Sequence, residues 1–550
     1  MALLSRIAER VLDLSPALTR DVTVRRGLRV PMPDGVELLA DLYAPRRVPN
    51  APTILIRTPY GRGGMLGPGL CRPFAERGYQ VLVQACRGTG GSGGRFDPFG
   101  HERADGMATV DWIEKQPWFH GRLLGFGLSY LGYALWAMAP EAGDRLTAMT
   151  AMITASQFRD QTYLGDSYTL RGALNWSAMM AAQEDGPRPR LLRDLRSRRR
   201  LAAAMAHLPL AEADTRAVGR PVEWFQQWLV ADAPGHPYWE GGRDHRARVG
   251  EVAAPVTMVG GWYDLFLCSQ LDDYAALRAA GRRPHLTIGP WTHSDRAALG
   301  TAVEESLTWF RAHVTGDRRA LREHPVRLYV QGAEEWREYP DWPPPGTEPR
   351  TWYLQPSGGL DVRPPGSCAP SRFRYDPADP TPGVGGPLLD GRAAGRRDNR
   401  ALEARPDVLV FTSAPLDRPV EVVGPVTARV ALRSSRPFAD VFVRVCEVDG
   451  RGRSLNVCDG LQRVTPLRFP ADPEGVRTVE VRLWPTAYRF AAGTRIRVQV
   501  AGGSFPRFAR NPGTGEPLGT ATRLLPVEHE VLHGPRHRSG VTFPEVRTLS

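Results

Sequence analysis

The chain has 550 residues, of which 42% are apolar and 24% charged, a balance typical of a globular protein with more than one domain. Its six cysteines show no paired spacing, which argues against a zinc finger and a disulfide-stapled secreted fold. No apolar run reaches 18 residues, which argues against a membrane span. The net charge is +12, and its basic residues are almost all arginine, since Lys115 is the only lysine. No nucleic-acid-binding motif accompanies this charge, so we expect no nucleic-acid partner. We also expect a cytoplasmic protein with no membrane partner.

Residues 1–155 alternate predicted helices and strands. An amphipathic helix in MALLSRIAERVLDLSPAL, which is not expected to be a signal peptide, precedes a hairpin signal at Asp34-Gly35. The apolar runs TILIRT and YQVLVQA predict buried parallel strands. A helix in HERADGMATVDWIEKQP, a strand in RLLGFGLS and a helix in YLGYALWAMAPE follow, so we predict a parallel sheet with helices on both faces.

The sequence after residue 155 predicts three further segments. Residues 156–244 are helical, arginine-rich and broken by prolines, which indicates an inserted helical cap. Alternating strands and helices return in APVTMVGGWYDLF and RRPHLTIGPWTH, so residues 245–340 are predicted to complete the α/β domain begun by residues 1–155. A Pro/Gly-rich linker and short alternating strands then predict a C-terminal β-sandwich over residues 341–550.

Two short motifs are rejected because their context is wrong. Gly88–Gly93 fits the dinucleotide pattern G-x-G-x-x-G, yet turn residues and Pro98 follow instead of a helix. His529–His533 reads H-E-x-x-H, but the zinc chemistry needs a helix and Gly534-Pro535 would stop one at once. We expect neither a nucleotide nor a metal.

The stretch GFGLSYLG presents a variant of the nucleophile elbow G-x-S-x-G, with Ser129 as the serine and the closing glycine one place late, at Gly132. A serine hydroxyl needs a histidine to accept its proton and a carboxylate to orient that histidine. Asp264 and His293 follow the next two predicted strands, in the order Ser, Asp, His. We expect Gly132 to let helix and strand pack closely, and the Tyr130 amide to face the oxyanion.

At these residues the sequence resembles the CocE/NonD hydrolases, the family of cocaine esterase, related to X-prolyl dipeptidyl-peptidases and α-amino acid ester hydrolases. The resemblance implies an α/β-hydrolase core with an inserted helical cap and a C-terminal jelly-roll β-sandwich of the galactose-binding type. The shared motifs run in order through essentially the whole chain: TPYGR (Thr58–Arg62), RGTGGSGG (Arg87–Gly94), GLSYLG (Gly127–Gly132), GGWYDLF (Gly260–Phe266), GPWTH (Gly289–His293) and CDGLQR (Cys458–Arg463).

The resemblance also implies roles for single residues. It makes Ser129 the nucleophile, His293 the general base and Asp264 its orienting acid. It makes the Tyr60 phenol a second oxyanion donor beside the Tyr130 amide, and it implies no metal or organic cofactor. The β-sandwich is expected to cover the rim of the active site and to form a homodimer contact in preference to binding a sugar.

The substrate is expected to be a small ester, amide or short peptide. α-Amino acid ester hydrolases carry acids where this chain has Phe266 and Leu267, so an apolar or aromatic acyl group is expected, with Phe266 and the cap residue Trp176 lining its pocket. An X-prolyl dipeptidyl-peptidase stays open as an alternative, with a cap acid gripping the peptide amine. So does a biosynthetic acyltransferase or cyclase that uses the same acyl-enzyme. The candidate cap acids are Asp160, Asp166 and Glu184.

Overall fold

The computed structural model describes residues 2–64, 66–184 and 191–547. Contacts divide the chain into two compact units. The first is Met1–Phe158 with Pro237–Arg327, and the second is Arg159–His236 with Leu328–Ser550. None of the helices in these described stretches is long and apolar enough to cross a membrane.

In chain order the α-helices are α1 (Ala2–Val11), α2 (Arg72–Ala75), α3 (Glu102–Glu114), α4 (Tyr130–Ala142), α5 (Arg159–Thr162), α6 (Leu170–Glu184), α7 (Leu191–Ala206), α8 (Ala213–Val218), α9 (Glu223–Val230), α10 (Pro237–Glu240), α11 (Leu267–Ala279), α12 (Arg296–Thr315) and α13 (Arg400–Glu403).

The strands are β1 (Val22–Pro31), β2 (Glu37–Pro45), β3 (Thr53–Thr58), β4 (Gln80–Ala85), β5 (Leu123–Leu128), β6 (Leu146–Met152), β7 (Tyr163–Leu164), β8 (Ser167–Tyr168), β9 (Val256–Tyr263), β10 (His285–Thr292), β11 (Val326–Val330), β12 (Glu335–Tyr339), β13 (Thr347–Leu354), β14 (Gly359–Asp361), β15 (Ser371–Tyr375), β16 (Val408–Ser413), β17 (Val420–Gly424), β18 (Thr427–Ser434), β19 (Ala439–Val448), β20 (Ser454–Val464), β21 (Arg477–Arg482), β22 (Thr486–Phe490), β23 (Arg495–Ala501), β24 (Val527–Val531) and β25 (Gly540–Val546).

The first unit is built on a sheet with the strand order β1-β2-β4-β3-β5-β6-β9-β10. The pairs β1–β2 and β2–β4 are antiparallel, and the hairpin predicted at Asp34-Gly35 is confirmed. Every pair from β4 to β10 is parallel. β3, β4 and β9 are buried at every position, as apolar runs in a parallel sheet covered on both faces require. The carboxyl ends of six strands therefore share one edge.

The second unit combines a helical insertion with an all-β region, and a short hairpin joins them. β7 and β8 pair antiparallel around a turn at Gly165 and Asp166. The Gly165 carbonyl accepts hydrogen bonds from the amide of Arg463 at 2.7 Å and the side chain of Gln462 at 3.2 Å. A Cβ at Gly165 would lie 1.8 Å from the Leu461 oxygen, so only glycine fits this approach to β20.

The all-β region is a continuous antiparallel array with the order β15-β24-β18-β25-β13-β14-β16-β23-β19-β20, in which only β14–β16 is parallel. Its core includes Phe442, Leu461 and Phe508, and Leu164 of the insertion packs against them. This agrees with the predicted C-terminal β fold.

The two rejected motifs behave as their context predicted. Gly88–Gly93 forms turns with no helix opening on them. His529 lies in strand β24 and His533 follows that strand, so the histidines do not share a helical face. Each imidazole shares a hydrogen bond with a serine hydroxyl: His529 with Ser434, and His533 with Ser371.

Candidate active site

A sharp turn joins β5 to α4 and carries Ser129. Its backbone adopts φ 52° and ψ −126°, a conformation that costs a non-glycine residue about 1–3 kcal/mol. The Ser129 amide donates to the Met152 carbonyl at 3.0 Å, and its carbonyl accepts from the amides of Gly132 and Tyr133 at 3.0 and 3.1 Å. These bonds hold the strained turn, which places the serine at the carboxyl edge of the sheet.

Two glycines make the turn possible. A Cβ on Gly127 would lie 2.5 Å from the Cα of Gly132, and a Cβ on Gly132 would lie 2.4 Å from Cγ2 of Thr154. The Thr154 hydroxyl donates to the Ser129 carbonyl at 2.6 Å, so this threonine also supports the turn. The prediction that Gly132 allows close packing of helix and strand is confirmed.

Asp264 and His293 lie one residue past the ends of β9 and β10, at the same edge as Ser129. The Asp264 Oδ2 atom is 2.6 Å from Nδ1 of His293. The Nε2 atom of the same ring is 3.1 Å from the Ser129 Oγ atom. The fold therefore brings Ser129 to His293, 164 residues further along the chain, and to Asp264, 29 residues before His293, because parallel strands end at one edge.

The surroundings of Asp264 fix the orientation of the imidazole. Asp264 is fully buried, and its Oδ1 atom accepts a hydrogen bond from the Phe266 amide at 2.8 Å. Its other oxygen is left to accept from Nδ1–H of His293, which leaves the Nε2 lone pair facing the Ser129 hydroxyl. The arrangement can thus remove a proton from the serine and stabilise the resulting imidazolium.

The predicted oxyanion donors lie at the ends of neighbouring strands. Tyr130 is the first residue of α4, where backbone N–H groups point out of the helix end. Tyr60 is half-buried in the turn after β3, the neighbour of β5, and its amide donates to the Thr58 hydroxyl at 3.0 Å. Both therefore belong to the edge that carries Ser129.

The side chain of Tyr130 is anchored below the turn by a residue that the sequence did not single out. Its hydroxyl donates to Glu102 at 2.9 Å and accepts from the Phe99 amide at 2.9 Å. Glu102 forms a buried ion pair with Arg57 at 2.9 Å. Burial and the Glu102 carboxylate raise the pKa of the Tyr130 phenol well above its usual value. From the sequence, Glu102 could be interpreted only as an acidic residue in the first turn of a helix, with no link to the candidate site.

An aromatic cluster extends from the imidazole. Phe266 is 3% exposed, and its ring centroid lies 5.5 Å from that of His293. Phe158 packs against Phe266 at 4.8 Å and against Phe99 at 4.4 Å. Phe158 was not predicted, since a single phenylalanine after a strand carries no distinguishing pattern.

Trp176 belongs to the second unit, on helix α6. Its ring stacks on Trp228 with centroids 5.7 Å apart and meets Trp224 edge-on at 6.1 Å. Its expected place in the acyl pocket stays a prediction.

Comparison with known proteins places the chain among hydrolases. A family model described as "X-Pro dipeptidyl-peptidase (S15 family)" matches residues 34–295, and one described as "X-Pro dipeptidyl-peptidase C-terminal non-catalytic domain" matches residues 319–542. Cocaine esterase from Rhodococcus sp. (strain MB1 Bresler) is 30% identical, with 96% of this chain and 99% of that protein covered.

Two solved structures share the fold. An aminopeptidase from the marine sediment archaeon Thaumarchaeota archaeon has a TM-score of 0.83 at 20% identity, covering 97% of this chain and 99% of its own. A CocE/NonD family hydrolase from Staphylococcus aureus has a TM-score of 0.71 at 16% identity, covering 96% of this chain and 94% of its own. At these identities the likeness concerns architecture alone.

Proposed function

The chain belongs to the CocE/NonD family of serine hydrolases, and from that premise we propose that it is an esterase for apolar or aromatic acyl groups, with Ser129 as nucleophile, His293 as general base and Asp264 as orienting acid. The observation that carries the proposal is the continuous series of hydrogen bonds from Ser129 through His293 to Asp264, at 3.1 and 2.6 Å. Such a series is what activation of a serine hydroxyl requires.

The reaction proceeds through an acyl-enzyme. The Ser129 Oγ atom attacks the ester carbonyl carbon while its proton passes to Nε2 of His293. The bond to the alcohol oxygen then breaks, and His293 returns the proton to that oxygen. A water molecule repeats the sequence on the acyl-enzyme, which releases the carboxylic acid and restores Ser129.

Negative charge develops on the former carbonyl oxygen in both tetrahedral intermediates. The Tyr130 amide and the Tyr60 phenol are the donors proposed to hold it. Donors of this kind typically contribute about 3–4 kcal/mol each to the transition state. The strained turn at Ser129 and the buried Tyr130–Glu102 bond hold the amide in place before substrate arrives.

The preference for apolar acyl groups rests on the residues after Asp264. Phe266 and Leu267 are both buried and apolar, and Phe266 touches the imidazole of His293. A substrate ammonium near them would lose hydration without gaining a carboxylate partner, which costs several kcal/mol or more. An uncharged acyl group suffers no such penalty.

The dipeptidyl-peptidase alternative requires a cap carboxylate for the peptide amine. Asp160 lies 3.4 Å from Arg159, and Asp166 is paired with Arg468 and accepts from Gln462 at 3.0 Å. Both carboxylates are therefore already balanced by arginine or amide groups of the second unit. The side chain of the third candidate, Glu184, lies outside the described residues.

The test compares hydrolysis of 4-nitrophenyl benzoate, 4-nitrophenyl butyrate and Gly-Pro-4-nitroanilide by the wild type, Ser129→Ala and Ser367→Ala. Ser367 is an exposed serine of the β region and serves as the matched control. We expect both esters to be cleaved by the wild type and Ser367→Ala, the anilide to be nearly untouched, and Ser129→Ala to be inactive.

Other outcomes would replace parts of the proposal. Efficient cleavage of the anilide would make the chain a dipeptidyl-peptidase. Acylation of Ser129 by the ester without release of the free acid into water would indicate an acyltransferase. Ester hydrolysis that survives Ser129→Ala would refute the assignment of the nucleophile.

A further inference from the structure

A cleft of about 360 Å³ opens in the first unit at the amino edge of the sheet, the edge opposite Ser129. It lies where β9 and β10 begin, between the loop that follows α11 and the last turns of α12. Its apolar and aromatic lining includes Val256, Leu277, His285, Trp309, His313 and Leu321.

The rim of this cleft is strongly cationic. Arg282, Arg283 and Arg318 line it, and its lining contains no aspartate or glutamate. All three arginines are exposed, and within the described part of the chain none of their guanidinium groups forms an ion pair. Cations gathered at a concave surface with apolar walls focus the electrostatic potential and attract anions. The rim therefore offers uncompensated donors to a negatively charged group.

The inner wall is a fixed aromatic cluster. The Trp309 ring centroid lies 4.6 Å from that of His285 and 4.3 Å from that of His313, at interplanar angles of 49° and 50°. The Trp309 indole N–H donates to the Pro255 carbonyl at 3.2 Å, and Nδ1 of His313 donates to the Trp309 carbonyl at 2.8 Å. These bonds hold the rings in place.

Both imidazoles of the aromatic cluster are uncharged at neutral pH. Burial, and secondarily Arg322, lowers the pKa of His285 to about 4. Burial also lowers the pKa of His313. The positive charge of the cleft therefore resides on its rim arginines, and the wall behind them is aromatic and neutral.

We propose that this cleft binds a small organic anion, a carboxylate or phosphate attached to a flat apolar group, with the anion held by Arg282 and Arg283 and the flat group against the aromatic cluster around Trp309. Its volume falls within the range of small-molecule pockets. The site is distinct from the catalytic one, because β9 and β10 each run eight residues from the cleft to the carboxyl edge, about 25 Å.

The test is a ¹⁹F NMR titration of the full-length protein with 4-fluorobenzoate, 4-fluorophenyl phosphate and the neutral 4-fluorobenzamide. Three variants accompany the wild type. Arg282→Gln/Arg283→Gln removes two of the three rim charges. Ala253→Trp places a large side chain at a half-buried position of the rim and fills the cleft, and Arg26→Gln removes an exposed arginine of β1 as control. Hydrolysis of 4-nitrophenyl butyrate shows that each variant is folded.

We expect the two anions to saturate and the amide to bind about tenfold more weakly, since it lacks the charge that the guanidinium groups recognise. The double arginine variant is expected to lose about tenfold in affinity for the anions. Ala253→Trp is expected to abolish binding, and Arg26→Gln to leave it unchanged. The anion with the lower dissociation constant shows whether the cleft prefers a carboxylate or a phosphate.

Three results would overturn the proposal. One is the absence of saturation by either anion. The second is equal affinity for the amide and the anions, which would remove charge as the basis of recognition. The third is wild-type binding by both the double arginine variant and Ala253→Trp, which would place the ligand elsewhere, including the acyl pocket beside Ser129.

Discussion

Replacing Asp264 with asparagine should abolish most of the activity while leaving the site intact. The Oδ1 atom of Asp264 accepts from the Phe266 amide at 2.8 Å, so asparagine must keep its carbonyl oxygen at that place. Its NH₂ group would then face Nδ1 of His293, where the carboxylate oxygen now lies at 2.6 Å. The imidazole must present a lone pair at Nδ1 and carry its proton on Nε2, which is the wrong tautomer for accepting the Ser129 proton.

The expected loss in kcat is about 10⁴-fold, as when the same exchange is made in serine proteases. The measurement is the steady-state kinetics of 4-nitrophenyl butyrate hydrolysis, with Asp295→Asn as the matched control. Asp295 caps α12 by accepting from the Ala297 amide, a role that asparagine fills equally well, so its kcat should stay near that of the wild type. A kcat for Asp264→Asn within tenfold of the wild type would refute the argument from tautomers.

Three further predictions concern other parts of the first unit. Gly132→Ala should cost about 1–3 kcal/mol of unfolding free energy in urea titrations, because its Cβ would overlap Thr154, and the cost should shrink in a Thr154→Gly background; equal costs in both backgrounds would contradict the steric argument. Tyr60→Phe should lower kcat about 10²–10³-fold with little change in KM, whereas a rise in KM alone would assign Tyr60 to substrate binding. Burial lowers the pKa of His245 from 6.5 to about 4; the folded state therefore resists protonation, and stability should fall as the pH drops from 6.5 towards 4, by up to about 1.4 kcal/mol per unit. His245→Gln should flatten that dependence in thermal unfolding, and an unchanged slope would exclude this histidine as its source.

The convergence of Ser129, Asp264 and His293 at one edge of the sheet could be predicted from sequence because its determinants are local. Short apolar runs ending in turn residues define parallel strands, and parallel strands align their carboxyl ends without any knowledge of side-chain packing. Ser129, Asp264 and His293 each follow such a run. The role of the displaced glycine could also be predicted, since Gly132 lies in the first turn of α4, where a Cβ has no room.

Features that depend on distant contacts could not be predicted. Glu102 and Phe158 contact the site through residues that no local pattern connects to them. The cationic cleft needs Arg283 and Trp309 to converge from separate elements. Trp176 was assigned from its residue type alone, and that type is equally suited to the tryptophan packing in which it is found.

The grouping of the helical insertion with the β region has a consequence for synthesis on the ribosome. The side chain of Gln462 binds the carbonyl of Gly165 across 297 residues of chain. At typical elongation rates of 5–20 residues per second, about 15–60 s pass between the emergence of the hairpin and that of its partner strand. During that interval Leu164 has no β core to cover it. The contacts of this hairpin with β20 therefore form only after the C-terminal strands have been translated, so the second unit completes its folding late in synthesis.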